Sequence, residues 1–292
     1  MIQYHYYEMP QTREELFRLL ESIDRDYVIL SGATDLYAHD KTAFETLDCA
    51  VDISGIDEFR QISAADGEIT IGAMTRIQRF LEDPELIKTV PLFRHAACFF
   101  ADRQIRQMAT IGGNVANASP VGDMIPCLLA MDARVNTMRP AEGRLTERSV
   151  PIGEFIVGVG KTQLEKGEVI TSFSCPILEN YGCAFKKVGL RRSLCISTVN
   201  AAFMVKTDES GQRFDDVRIA FGAIGPVDIR LTAVEDFLRG KAVTPDTIEA
   251  CVNYLPEGVI RSRSRREYRS HIVPNFLRAG LREALADLNI RL

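Results

Sequence analysis

The residues of this chain best suited to chemistry gather in one stretch, Thr110-Ile111-Gly112-Gly113-Asn114-Val115-Ala116-Asn117-Ala118-Ser119-Pro120-Val121-Gly122-Asp123. Two adjacent glycines lie between a threonine and two asparagines, and a carboxylate follows at Asp123. Glycine lets a backbone come close to a ligand and take up positive φ at no steric cost. The threonine hydroxyl, the asparagine amides and freed backbone N–H groups would offer an anion such as a pyrophosphate many short hydrogen bonds. A second stretch, Leu30-Ser31-Gly32-Ala33-Thr34-Asp35-Leu36, follows an apolar run in the same way. A lone glycine pair is most often only a turn, but two such stretches, each after a structured segment, point to a dinucleotide cradle. Neither the Gly-x-Gly-x-x-Gly spacing of a Rossmann site nor the Lys-Ser/Thr pair of a P-loop is present. Two separate loops would therefore each approach the phosphates.

These residues also carry a family likeness. The sequence resembles the FAD-binding subunit of the molybdenum hydroxylases, the group that contains xanthine, carbon monoxide and nicotinate dehydrogenases. That family has a Gly-Gly-x-Asp/Glu-Leu loop near its start, here Gly32-Ala33-Thr34-Asp35-Leu36 with Ala33 in place of the second glycine. Gln-Ile-Arg is present as Gln104-Ile105-Arg106, Thr-Ile-Gly-Gly-Asn is intact at 110–114, and the family aspartate matches Asp123. An aromatic-x-Lys followed by Arg matches Phe185-Lys186-Lys187 and Arg191. The resemblance spans nearly the whole chain.

The resemblance implies a set of cofactor residues. Leu30, Ser31, Gly32, Ala33, Thr34 and Asp35 would form the first loop, its N–H groups on the pyrophosphate and Asp35 turned to ribose or backbone donors. Thr110, Gly113, Asn114, Ala116 and Asn117 would complete the second. Asp123 would accept from a cofactor hydroxyl or amine; from sequence alone it reads equally as a helix N-cap before Met124. Phe100 and Ile170 match positions that pack around the adenine, and each also suits an ordinary core position. Lys187 matches the lysine beside the flavin, where a fixed positive charge would stabilise the anionic reduced ring. Lys186 competes with it, and a surface lysine is the plain reading of either. In Arg191-Arg192-Ser193-Leu194-Cys195-Ile196-Ser197 the family often has Asp where Cys195 stands, which puts the electrostatics beside the flavin in doubt.

Function follows the same likeness: FAD on this chain would take electrons from [2Fe-2S] centres of a small partner subunit and pass them to NAD or another acceptor. A molybdopterin-binding large subunit would oxidise the substrate, with purines preferred and nicotinate-like N-heterocycles next. Two other readings stay open, a flavin-free assembly or regulatory homologue and a stand-alone FAD oxidase. No metal is expected on this chain. Its seven cysteines form no C-x-x-C pair, and its four histidines (His5, His39, His95, His271) are scattered. Arg261, Arg263, Arg265, Arg266 and Arg269 form a basic run, read as a solvated face or as a docking surface for an acidic partner.

The elements that must position these residues are legible in outline. With 292 residues, 46% of them apolar, the chain can bury two or three cores, and a net charge of −5 argues against a nucleic-acid partner. No apolar run is long enough to span a bilayer and no signal peptide is read at Met1–His5, so the expected compartment is the cytoplasm. Capping boxes at Thr12–Glu15 and Thr75–Gln78 predict helices. Strands are predicted over 26–30, 50–53, 68–72, 169–173, 198–206 and 217–224, and helices over 92–100, 125–131, 231–238, 247–255 and 268–288. The fold class expected is α+β. The resemblance implies that residues 1–176 form a PCMH-type FAD-binding domain of two small α/β subdomains, with a break near 55. Residues 177–292 read as an antiparallel sheet followed by helices, which the resemblance implies is like the C-terminal domain of the CO dehydrogenase flavoprotein.

Overall fold

The structure is a computed structural model that describes residues 4–36, 38, 47–141, 143–191, 194–262 and 264–292. The calls on His39, Arg192, Ser193 and Arg263 lie outside the described residues. Three sheets organise the chain.

The first is parallel, in the order β1 (Tyr4–Glu8), β3 (Leu47–Asp52), β2 (Tyr27–Leu30). Helix α1 (Arg13–Ser22) joins β1 to β2. Thr12 caps it by accepting from the Glu15 N–H at 3.1 Å, and Leu16, Phe17 and Leu20 are buried beneath it. The first glycine stretch leaves the carboxyl end of β2, where open parallel sheets characteristically bind ligands.

The second sheet is antiparallel, with β4 (Ile62–Ala65), β5 (Glu68–Gly72), β6 (Arg134–Ala141), β7 (Arg144–Pro151) and β10 (Val169–Pro176) in the order β4-β5-β10-β6-β7. A small hairpin, β8 (Ile156–Gly158) and β9 (Lys161–Thr162), precedes β10. Between β5 and β6 run the short helices α2 (Arg79–Glu82), α3 (Pro84–Thr89), α4 (Pro91–Phe99), α5 (Arg103–Met108), α6 (Ile111–Ala116) and α7 (Ile125–Ala130), and α8 (Ile152–Phe155) follows β7. Two of these differ from the sequence expectation. The Thr75–Gln78 capping box does not form: α2 starts after Gln78 with no side-chain cap, because the Gln78 amide bonds to Arg106 and Glu82 instead. The Thr110–Ala116 stretch, expected as a loop, is one turn and a half of helix.

The third sheet is antiparallel, β11 (Gly182–Gly189), β12 (Ser197–Thr207), β13 (Phe214–Gly222) and β14 (Ile229–Arg230). One face packs on α9 (Thr232–Leu238), α10 (Pro245–Cys251) and α11 (Arg266–Asp287), where Phe203, Phe221, Val273, Leu277 and Leu281 are fully buried. The other face receives α4 and α7, so one continuous core joins the second sheet to the third. Arg218 and Arg230 fasten that contact, both donating to the Asp132 carboxylate at 2.7 Å. They also reach the last carbonyls of α7, where a cation complements the helix dipole. Among the described residues, no helix is long and apolar enough to cross a membrane.

Candidate functional site

A cavity of about 630 Å³ lies where the first and second sheets and β11 meet, and every residue that the resemblance nominated for the cofactor borders it. Leu30, Ser31, Gly32, Ala33, Thr34 and Asp35 come from the first loop. Thr110, Gly113, Asn114, Ala116 and Asn117 come from α6 and its flanks. Phe100 follows α4, Ile170 is on β10, Asp123 precedes α7 and Lys187 is on β11.

The two loops touch directly. Ser31 Oγ lies 3.1 Å from Thr110 Oγ1, which also accepts from the Gly113 N–H at 3.0 Å. The glycines serve close approach and do not supply positive φ. A Cβ on Gly32 would stand 2.1 Å from the Met108 carbonyl oxygen, and one on Gly112 2.7 Å from that of Ala73. The left-handed backbone falls instead on Ala33 (φ 52°) and Ala101 (φ 38°), so the Ala33 departure from the family glycine sits at a position glycine would occupy with less strain.

The first turn of α6 does not offer free N–H groups, contrary to expectation. Ile111 donates to Thr75 O, Gly112 to Ala73 O, Gly113 to Thr110 Oγ1 and Asn114 to Thr110 O. The open donors are on the first loop, where the N–H groups of Gly32, Ala33 and Thr34 have no acceptor among the described residues. Asn114 is oriented by the Met124 N–H, which donates to its Oδ1 at 3.4 Å. Phe100 is set by Arg106, which bonds the Phe100 carbonyl and the Gln78 side chain, each at 2.9 Å.

Asp123 is not a helix cap. Its Oδ1 accepts from Ser197 Oγ at 2.7 Å and Asn200 Nδ2 at 2.9 Å, and its Oδ2 takes Lys187 Nζ at 2.5 Å. Lys187 also donates to the Phe99 carbonyl at 3.1 Å. The pair is dry, with side-chain exposures of 3% for Lys187 and 8% for Asp123. Lys186 points to the opposite face, as alternation on a strand requires, and pairs with Glu283 of α11 at 2.7 Å. Cys195 borders the cavity beside Leu194 and Ile196; Gly189 leaves room for this loop, since a Cβ there would meet Cys195 Cβ and Ile196 O at 2.7 Å.

Sequence reasoning missed Ser197, Asn200 and Glu168. Glu168 borders the cavity with its side chain 2% exposed, held by Arg148 at 2.6 and 2.7 Å, by the Glu165 N–H at 2.8 Å and by Thr137. Asn200 had one visible cue, a polar residue within the apolar run of β12.

The remaining candidates separate from the site. Cys175 and Cys183 are buried, their thiols pushed up to about 12 by desolvation first and a nearby carboxylate second. Arg269 leaves the basic run altogether. It is buried and donates to the carbonyls of Thr198 at 3.0 Å and Ala223 at 2.8 Å, tying α11 to the third sheet.

The architecture has known counterparts. Residues 2–178 match the model of the FAD binding domain in molybdopterin dehydrogenase, and residues 184–284 match that of the CO dehydrogenase flavoprotein C-terminal domain. The xanthine dehydrogenase FAD-binding subunit of Escherichia coli O157:H7 is 31% identical over 264 residues, covering 88% of each chain. The carbon monoxide dehydrogenase medium chain of Hydrogenophaga pseudoflava is 28% identical over 284 residues and 96% of each chain. The solved structure of carbon monoxide dehydrogenase from that organism superposes with a TM-score of 0.90 at 26% identity, over 98% of this chain and 99% of that one. An apolar-walled cavity with open N–H groups on one loop and a buried lysine on its wall suits a flavin dinucleotide. The chain belongs to the FAD-binding subunits of the molybdenum hydroxylases, and is an oxidoreductase component with FAD as its cofactor.

Proposed function

We propose that this chain takes electrons from a [2Fe-2S] partner subunit and passes them through FAD to a soluble acceptor such as NAD. The substrate, a purine or related N-heterocycle, would be oxidised on a molybdopterin-binding large subunit of the same cytoplasmic complex. The purine preference rests on the relative named for xanthine. In this reading residues 1–176, with a subdomain break near 55, carry the cofactor loops, and residues 177–292 carry Lys187.

The observation that supports it best is the cavity's division of labour. Open N–H groups at Gly32, Ala33 and Thr34 suit the pyrophosphate, Phe100 and Ile170 suit the adenine, and the buried Lys187–Asp123 pair suits the redox-active ring. FAD supplies chemistry that side chains lack, accepting electrons singly and releasing them as a hydride. The protein's own task is to bind, orient and tune. Lys187 has a third N–H beyond the two that bond Asp123 and Phe99 O, and that donor would meet the reduced ring.

Purification of the complex tests the reading. The expected result is a flavin spectrum, molybdopterin and [2Fe-2S] polypeptides in the same particle, and NADH formed on addition of xanthine. Reduction of the flavin by substrate in the isolated chain would instead establish a stand-alone oxidase.

A further inference from the structure

Four buried side-chain oxygen atoms lack a hydrogen-bond partner among the described residues, and three of them fall in one place: Asn200 Oδ1 and both carboxyl oxygens of Asp228. They share the gap left by Gly222. A Cβ on that glycine would lie 2.2 Å from Asn200 Oδ1 and 2.8 Å from Asp228 Oδ2. An ionised Asp228 would make this a buried cluster of acceptors whose near donor, the Ala223 N–H, is already engaged with the Pro120 carbonyl at 2.7 Å, an arrangement that costs free energy. Turning the Asn200 amide over offers no escape. Its Nδ2 donates to Asp123 Oδ1 at 2.9 Å, and the reversed amide would set a carbonyl oxygen against that carboxylate.

A proton on Asp228 resolves the cluster. We propose that Asp228 is a neutral carboxylic acid whose O–H donates to Asn200 Oδ1, and that it is a positioning residue for the Lys187–Asp123 pair. By fixing the amide, it keeps Asn200 Nδ2 on Asp123 and so limits how strongly Asp123 draws the Lys187 charge away from the cavity. The effect on flavin rests on the reading of Lys187 given above.

The surroundings favour the proton. Burial first, and the charge of Asp123 second, push the Asp228 carboxyl well above the usual carboxylate range. The Ala223 N–H acts the other way, but it is already engaged with the Pro120 carbonyl at 2.7 Å. Among the described residues, Cys127 on α7 also titrates in this space. Its thiol is pushed well above its ordinary value by burial first and by the charge of Asp123 second, so it stays neutral.

Infrared spectroscopy and potentiometry of the holoprotein test the proposal with two variants. Wild type should show the C=O stretch of a buried protonated carboxyl at neutral pH, and Asp228→Asn should lose it. Asp228→Asn should keep the wild-type flavin potential, because its amide still donates to Asn200. Asp228→Leu, which cannot donate, should lower that potential. No difference in the carboxyl band between wild type and Asp228→Asn overturns the neutral acid, and this reading does not depend on Asp228→Leu folding. Equal potentials in wild type, Asp228→Asn and Asp228→Leu overturn the positioning role. If Lys187→Met leaves the potential unmoved while the carboxyl band behaves as expected, the placement of Lys187 at the flavin fails and the neutral acid stands.

Discussion

Gly32→Ala isolates close backbone approach from every other property of the first loop. Gly32 is outside the left-handed region, so alanine there incurs no φ penalty. Its Cβ would stand 2.1 Å from Met108 O, 2.8 Å from Met108 C and 3.0 Å from Ala109 Cα, all backbone atoms that no rotamer change can move. Relief requires the 108–109 backbone to retreat, and with it Thr110, whose hydroxyl joins the loops through Ser31 at 3.1 Å. Overpacking of this kind costs about 1–3 kcal/mol and a lost neutral hydrogen bond about 0.5–1.5 kcal/mol, so a total of about 1.5–4.5 kcal/mol is expected. If about 2 kcal/mol of it falls on the ligand-competent arrangement, FAD binding weakens roughly 30-fold. Flavin fluorescence quenching on titration of the apoprotein reads the affinity, and urea unfolding reads the rest. Gly153→Ala is the control, since its Cβ would meet only Leu129 Cδ2 at 3.5 Å. Wild-type affinity together with an unchanged urea midpoint in Gly32→Ala would refute the close-approach reasoning.

Three further outcomes follow from the buried ionisable groups. Lys187→Met strands the Asp123 carboxylate and should destabilise the protein by about 3–5 kcal/mol, whereas Lys187→Met with Asp123→Asn should recover most of that loss; urea unfolding of the double-mutant cycle measures it. For Glu168, burial alone would raise the carboxyl, but Arg148, Thr137 and the Glu165 N–H outweigh it and hold it below its ordinary 4.5. Its contribution is therefore present above that pH and lost as pH falls through the lower folded value, so Glu168→Gln should flatten the acid limb of a Tm–pH profile. Asp228 runs the opposite way: its folded value is raised, the folded state binds more protons, and stability falls as pH rises above 3.8. Asp228→Asn should raise Tm more on the alkaline side of that profile than on the acidic side.

Local chemistry was readable and non-local chemistry was not. The Thr12 cap, the apolar run of β2 and the alternation that separates Lys186 from Lys187 are short-range, and they appear where sequence periodicity put them. The two glycines of α6 disguised a helix, because their low propensity is overridden by the Thr110 cap and by N–H bonds to the Ala73 and Thr75 carbonyls. Thr75–Gln78 had the letters of a capping box but not the geometry, since Arg106 and Glu82 compete for Gln78 from outside the segment. Arg269 looked like part of a surface run, yet Arg269, Val273, Leu277, Leu281 and Leu285 recur every fourth residue along the buried face of α11. The cavity residues were nominated by motif resemblance. The network behind them, Ser197, Asn200 and Asp228 around Asp123, joins positions far apart in the chain, and no spacing rule reaches it.

Potentiometric titration of the flavin in Lys187→Met and Lys186→Met tests the central claim, that Lys187 sets the electrostatics of the FAD cavity. A hydrogen bond to a charged group is worth about 1.5–3 kcal/mol, and for a two-electron couple 30 mV corresponds to 1.4 kcal/mol, so Lys187→Met should lower the potential by about 30–60 mV. Lys186→Met should leave it in place, because that ammonium faces Glu283 on α11. An unchanged potential in Lys187→Met, or an equal shift in both variants, would contradict the account.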